Sequence, residues 1–383
     1  MKKLYWRPSK VSWKIHLVIA LLAVGGMATV EVMKTTRRQA LHQTKVKAAN
    51  QMHKAMMVIR SERLARLGSI DAEVDPAQTG LIGNRITPIT SLMGYLRAKR
   101  TTLNPNWAAV MVDQLRLAGA RKGDVVAAGV TGSLPAMNLA LYVAAESMGV
   151  RLVVITSLES SSYGANLPGF TWLDMEKALV DKQVLKTRSV AASLGGARDR
   201  AVGTSPEGKK LLRSTIETQG IRLLEEKTMA ANLEQRMGLY RSHAEGRPIV
   251  AFVNVGSGLA SVGGSEGGHR SFKAGVNRKL KKKAPKTDSI AARFIKQGLP
   301  VIYVVGVESL AKKYKLPTSP STIPTPGTGL VFEKKDYDPV VVVVVLLVLL
   351  LALYAFIKID LGYRIFQAAK RPDAAAKPPE QMV

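Results

Sequence analysis

Hydroxyl side chains collect where apolar runs stop. Val125–Val130 gives way to Thr131-Gly132-Ser133, Leu152–Ile155 to Thr156, Ser157 and Ser160–Ser162, the run to Ser193 to Gly195-Gly196, and Pro248–Val255 to Gly256-Ser257. Asn166 and Asn254 sit in the same kind of place. Such groups can hold an anion or supply a hydroxyl nucleophile, and no single serine stands out as one. A second pattern, Lys99-Arg100-Thr101-Thr102, puts two cations beside two hydroxyls, which suits a carboxylate or phosphate. A helix C-terminus favoured by basic residues, followed by Asn104-Pro105, explains the same residues without a ligand. The ligand-binding candidates are therefore Lys99, Arg100, Thr101, Thr131, Ser133, Asn166, Ser193, Asn254, Gly256 and Ser257. Asp174 is a catalytic candidate only in second place, because it opens a helix, where an acid complements the dipole. The five histidines are scattered, no HExxH occurs and cysteine is absent, so neither a metal nor a cofactor is expected.

The elements that would position these groups are legible. An apolar strand, a Thr-Gly-Ser turn, Pro135 opening a helix, Gly149 ending it and a second apolar strand make a parallel βαβ unit. Strands are further expected at Arg188–Leu194, Ile221–Leu224, Pro248–Val255 and Pro300–Val305. Helices are expected at Asn106–Leu117, Thr171–Lys182, Pro206–Gln219, Met229–His243, Asp288–Gln297 and Ser309–Tyr314. The fold class is α/β, a parallel-sheet, Rossmann-like three-layer domain, and ligands of such sheets bind outside the carboxyl ends of the strands. After Val255 the glycine-rich run to Gly268 could bring backbone N–H groups to an anion or be a plain surface loop.

Two stretches of 19 residues flank this domain, Ile15–Met33, apolar but for His16, Thr29 and Glu31, and Pro339–Ile357, without any charge. Each would be a helix of roughly 28 Å, close to the ~30 Å hydrocarbon core, and both are read as transmembrane helices. A cleaved signal peptide is the alternative for the first, and its indifferent cleavage site and long apolar stretch argue against that. The expected order is a cytoplasmic basic segment 1–14, a span 15–33, a helical stalk 34–67, the α/β domain 68–314, a Pro-rich linker 315–338, a span 339–357 and a cytoplasmic tail 358–383. The 34–67 segment reads equally as a core-packing helix. Basic residues after the second span place both termini inside and residues 34–338 outside the cytoplasmic membrane.

The chain is strongly basic, +28 overall. Its ends hold ten of the 56 Lys and Arg and four of the 28 Asp and Glu, so residues 34–338 alone carry +22. Such a region seeks polyanions. Nucleic acid is an unlikely partner outside a membrane and with few aromatic residues for stacking. Arg270, Lys273, Arg278, Lys279, Lys281, Lys282, Lys283 and Lys286 follow one another without an acid, either as a polyanion surface or as an ordinary solvated face.

Several short motifs in order resemble the poly-γ-glutamate system protein family. They are Asp75-Pro76, Thr79–Gly83, Ala98–Thr101, Asn104-Pro105, Gly123–Val126, Gly132-Ser133, Gly164–Asn166, Thr171–Glu176, Ser193–Gly196 and Val253–Gly256. The resemblance runs from Ile70 to Leu330 and departs at Asn84-Arg85, where an acid would be expected. It implies a bacterial inner-membrane component of a capsule biosynthesis and export system, with poly-γ-glutamate or another anionic polymer and other membrane subunits as partners. It implies no particular reaction. An enzyme, hydrolase or transferase, acting on that polymer is the second reading. A third, phosphosugar binding, rests on a stretch of about 35 residues around Thr131-Gly132-Ser133 that is similar to sugar-isomerase domains.

Overall fold

The computed structural model describes residues 13–285 and 287–358. Most of the basic residues at the two ends that set orientation, those before Trp13 and after Lys358, and Lys286 of the cationic run lie outside the described residues. From the N-terminal side, α1 (Trp13–Val32) precedes a short strand, β1 (Thr35–Arg38), and the long helix α2 (His42–Leu67), which Gly68 caps. A Gly- and Pro-rich loop leads to α3 (Leu96–Thr101) and α4 (Trp107–Ala118). The expected unit follows as β2 (Val125–Thr131), α5 (Pro135–Met148) and β3 (Arg151–Ser157). Gly149 ends α5 at φ 69°, a left-handed conformation that glycine adopts without a Cβ penalty. The ribbon β4 (Asn166–Leu167) and β5 (Phe170–Thr171) introduces α6 (Trp172–Asp181). Then come β6 (Ser189–Ser193), α7 (Pro206–Thr218), β7 (Arg222–Leu224), α8 (Met229–His243) and β8 (Ile249–Val255). The glycine-rich run folds as α9 (Leu259–Val262) and α10 (Gly264–Ser271). It is followed by β9 (Gly275–Asn277), α11 (Ile290–Lys296), β10 (Val301–Val304), α12 (Val307–Tyr314), β11 (Glu333–Asp336) and α13 (Pro339–Lys358).

Seven strands form one sheet in the order β7-β6-β3-β2-β8-β10-β9, parallel throughout except for β9, which runs antiparallel at the edge. Alternate residues of a strand serve opposite faces. Val126, Ala128 and Val130 of β2 join the core built with α2, α4 and α5, whereas Val125 and Ala127 join the one built with α8 and α11. Helices on both faces explain why these strands are continuous apolar runs, and the α/β, parallel-sheet expectation holds.

Two segments differ from a stalk and a linker. Helix α2 packs on α4 and α5 with Ala48, Ala49, Met52, Ala55, Met56 and Ile59 fully buried, so its stripe is core and the stalk reading falls. Alanines let the helix backbones approach, and the methionines fill what remains. The Pro-rich segment is a strap lying along the domain as far as Phe332. Thr101 Oγ1 accepts the amide of Ser319 at 3.1 Å, Asn106 bonds Thr325 O and Gly327 N, and Lys45 Nζ donates to Val331 O at 3.1 Å. Val331 and Phe332 are buried, which a free linker would not allow.

The compact unit Arg38–Glu333 is one body, and the residues up to Arg37 and from Lys334 form a second. In that second unit α1 packs against α13, and a Cβ on Gly26 would come within 2.6 Å of Val345 Cγ1. Among the described residues one helix is long and apolar enough to cross a membrane, within Pro339–Phe356, while the apolar stretch of α1, His16–Val32, is shorter.

Candidate functional site

Strand order fixes where to look. The chain fills the sheet from β2 through β3 and β6 to β7, then returns across β2 to β8 and β10, so the switch point lies between β2 and β8. Thr131 ends β2, and Gly256-Ser257 follow β8. At Gly256, φ 90°, a Cβ would lie 2.0 Å from Thr131 Oγ1, so the two loops meet there only because that residue is glycine. Thr131, Ser133, Gly256 and Ser257 thus share one edge, with Ser133 and Ser257 half-buried. Thr131 Oγ1 accepts the amide of Ser133 at 3.2 Å. Asn254 turns inward: its Nδ2 donates to Gly256 O at 2.6 Å, and it is fully buried. Asn166 clamps a neighbouring loop, accepting Asn84 N at 3.0 Å and donating to Asn84 O and Thr90 Oγ1. Both asparagines hold backbone rather than face a ligand.

Lys99 is not a surface grip. Its side chain is 5 % exposed, and Nζ donates to Ser133 O and lies 2.8 Å from Ser161 Oγ. Burial pushes its pKa down to about 7, with no charged group offsetting that cost. Arg100 is spent on the carbonyls of Val74, at 2.9 Å, and Glu73, and Thr101 on Arg97 O and the strap. The pattern Lys99-Arg100-Thr101 is therefore largely engaged within the domain, on the carbonyls of Ser133, Val74, Glu73 and Arg97, the Ser161 hydroxyl and the strap. Ser161 is half-buried, and its amide donates to Ser133 Oγ at 3.0 Å. A Cβ on Gly94 would lie 3.2 Å from Ser161 Oγ and 3.3 Å from Lys99 Cε, so this stretch of backbone passes directly beside the pair.

Ser193 belongs to a different cluster, which sequence reasoning missed. Asp199 Oδ1 accepts Ser193 Oγ at 2.8 Å and Ser157 Oγ at 3.1 Å, while Oδ2 accepts Arg236 Nη2 at 2.7 Å and Asn232 Nδ2 at 3.0 Å. Arg236 and Asp199 are 0 % and 1 % exposed. Arg198, Asp199 and Ala201 all have positive φ, 55°, 58° and 50°, a strained loop held in place by this network. A signal was available: Asn232 and Arg236 are spaced i,i+4 on the same α8 stripe as Leu233, Met237 and Tyr240. Beside the sheet edge a cleft of 370 Å³ is lined by Arg198, Lys227, Met229, Leu259, Gly263, Thr287 and Asp288.

Asp174 is a cap. Its Oδ2 accepts Thr171 N and Thr171 Oγ1, both at 2.8 Å, and Oδ1 accepts Gln219 Nε2 at 2.8 Å. In the cationic run Lys273, Arg278, Lys279, Lys282 and Lys283 are exposed and flank the edge strand β9, where lysines also deter edge-to-edge pairing. Lys281 is half-buried and donates to His269 O at 2.5 Å. The glycine-rich run is helical rather than an open loop, with Ala260 and Val262 buried against the α11 side of the core. No protein-family model, curated protein or solved structure matches this chain.

Proposed function

We propose that the chain is a membrane-anchored component of a poly-γ-glutamate synthesis or export system, whose basic domain holds the anionic polymer. The observation that carries this reading is the exposure of Lys273, Arg278, Lys279, Lys282 and Lys283, which precede and follow the edge strand β9, in a region of net charge +22. The motifs shared with the poly-γ-glutamate system family supply the identity of the polymer. α1 and α13 would be the two spans, packed through Gly26 in the way small residues let helices approach in lipid. The domain would then lie outside the cytoplasmic membrane of a bacterium, with further membrane subunits beside it.

Exposed ion pairs contribute about 0–1 kcal/mol each, so affinity must come from their number along one chain. Binding of the full chain in nanodiscs to poly-γ-glutamate should strengthen with polymer length and fall steeply with salt, since charges are screened over about 8 Å at physiological ionic strength. Reversal of Lys279, Lys282 and Lys283 to Glu should weaken it roughly tenfold or more. Affinity indifferent to salt and to the reversal would reduce this surface to edge protection, and an equal grip on heparin would remove the polymer's identity from the reading.

A further inference from the structure

Lys99 and Ser161 are unlike any other pair in the domain. The lysine is buried, carries no carboxylate partner among the described residues, and touches the hydroxyl of a half-buried serine. The charged groups close to either residue in sequence are engaged elsewhere. Arg97 pairs with Glu308 of α12, Arg100 bonds two carbonyls, and Glu159 accepts Thr204 Oγ1. A structural pin would not need an ammonium here, because an unpaired buried charge is costly and an apolar or amide side chain would serve.

We propose that Ser161 and Lys99 are a nucleophile and general base for acyl transfer from an ester or amide with an aliphatic acyl chain. Neutral Lys99 keeps one N–H on Ser133 O and turns its lone pair to the Ser161 hydroxyl, the arrangement by which an amine activates serine. As Ser161 Oγ adds to the acyl carbon, its proton passes to Lys99 Nζ. The tetrahedral intermediate collapses by breaking the bond from carbon to the leaving oxygen or nitrogen, which takes that proton from Lys99. Water then gives a proton to Lys99 as its oxygen adds to the Ser161 ester, and the proton returns to Ser161 Oγ as the acid leaves. The Ser133 hydroxyl, whose oxygen already accepts the Ser161 amide, still has its own hydrogen to offer the developing oxyanion.

The substrate class follows from the neighbouring segment. Leu92, Met93 and Tyr95 are 63 %, 63 % and 85 % exposed, and Leu92 O and Met93 Sδ lie against Ser162, so the rim beside Ser161 is apolar. The inference goes beyond polymer binding and uses none of the β9-edge lysines, so either can fail without the other.

The test takes the full chain in nanodiscs with p-nitrophenyl acetate and p-nitrophenyl octanoate, an acid quench and peptide mapping by mass spectrometry. An acyl adduct on Ser161 is expected, faster with the octanoyl ester, with a rate that rises with pH through about 7 as Lys99 loses its proton. Ser161→Ala should remove the adduct while leaving the melting curve in place, and Lys99→Met should slow labelling by about 100-fold or more. Absence of a Ser161 adduct on folded wild-type chain overturns the proposal. So does an adduct whose rate ignores both pH and Lys99→Met, the behaviour of an ordinary hydroxyl.

Discussion

Two cations at the carboxyl edge of one sheet are withdrawn from water, and the sequence around them treats them in opposite ways. Arg236 has a carboxylate at 2.7 Å, and Ser193 and Asn232 accept further bonds from its Nη2 and Nε, while its buried Nη1 has no hydrogen-bond partner among the described residues. Lys99 has a carbonyl and one hydroxyl and no anion. Guanidinium cannot shed its proton, so burying it demands Asp199, whereas an amine can respond to burial by becoming neutral. The first arrangement fixes a strained loop against α8. The second leaves a lone pair beside a half-buried serine, so a difference in compensation, not in depth, separates an anchor from a reactive group.

The largest effect should come from breaking the anchor. Asp199→Ala or Arg236→Met leaves one uncompensated buried charge, at a cost of about 3–5 kcal/mol, a large part of a domain's whole stability. Asp199→Leu with Arg236→Met removes both charges and should cost far less than the sum of the singles, as judged by denaturant midpoints. Additive costs would show that the pair is not coupled, and the contrast with Lys99 would lose one side.

A smaller effect tests the other side. Burial lowers the pKa of Lys99 from 10.5 to about 7, so the folded chain binds fewer protons than the unfolded one between those values. Stability should therefore rise as pH climbs from about 7 towards 10.5, with the full penalty present below 7. Lys45 is also lowered by burial, and Tyr142, Tyr240 and Tyr303 are raised by it, which subtracts stability above 10. The quantity to follow is the difference between wild type and Lys99→Met from pH 7 to 9, read from the emission of buried Trp107 and Trp172. Parallel slopes would mean that Lys99 stays charged and is an anchor too.

What could be read from sequence divides along similar lines. β2, α5 and β3 were legible to within a residue or two because apolar runs, Pro135 and Gly149 act locally. The hydroxyl-lined edge was legible for the same reason. The pairings were not: Lys99 meets Ser161 across 62 positions, and Arg236 meets Asp199 across 37. Lys99-Arg100-Thr101 looked like a grip because composition cannot show that nearby carbonyls and hydroxyls already occupy it. The strap looked like a linker because its prolines speak louder than Val331 and Phe332, the two residues that bury. The glycine-rich run misled in the opposite direction, since helix propensity is overridden there by packing of Ala260 and Val262.

Asp174 lies between the two cations in kind and gives the smallest effect. It is nearly buried, yet its oxygens accept a backbone N–H, a threonine hydroxyl and an amide, with Arg66 at 3.8 Å. These are the bonds of a helix start, so Asp174→Ala should behave as the loss of a cap, about 1 kcal/mol on the denaturation midpoint, and Thr171→Ala should cost about the same. Because the two residues form one reciprocal cap, the double variant should cost less than the sum. Acylation of Ser161 and polymer binding should be unchanged in all three variants. Loss of Ser161 labelling in Asp174→Ala, with the melting curve shifted no further than in Thr171→Ala, would put the carboxylate into the chemistry and make an acid, rather than an uncompensated lysine, the group that distinguishes the reactive edge.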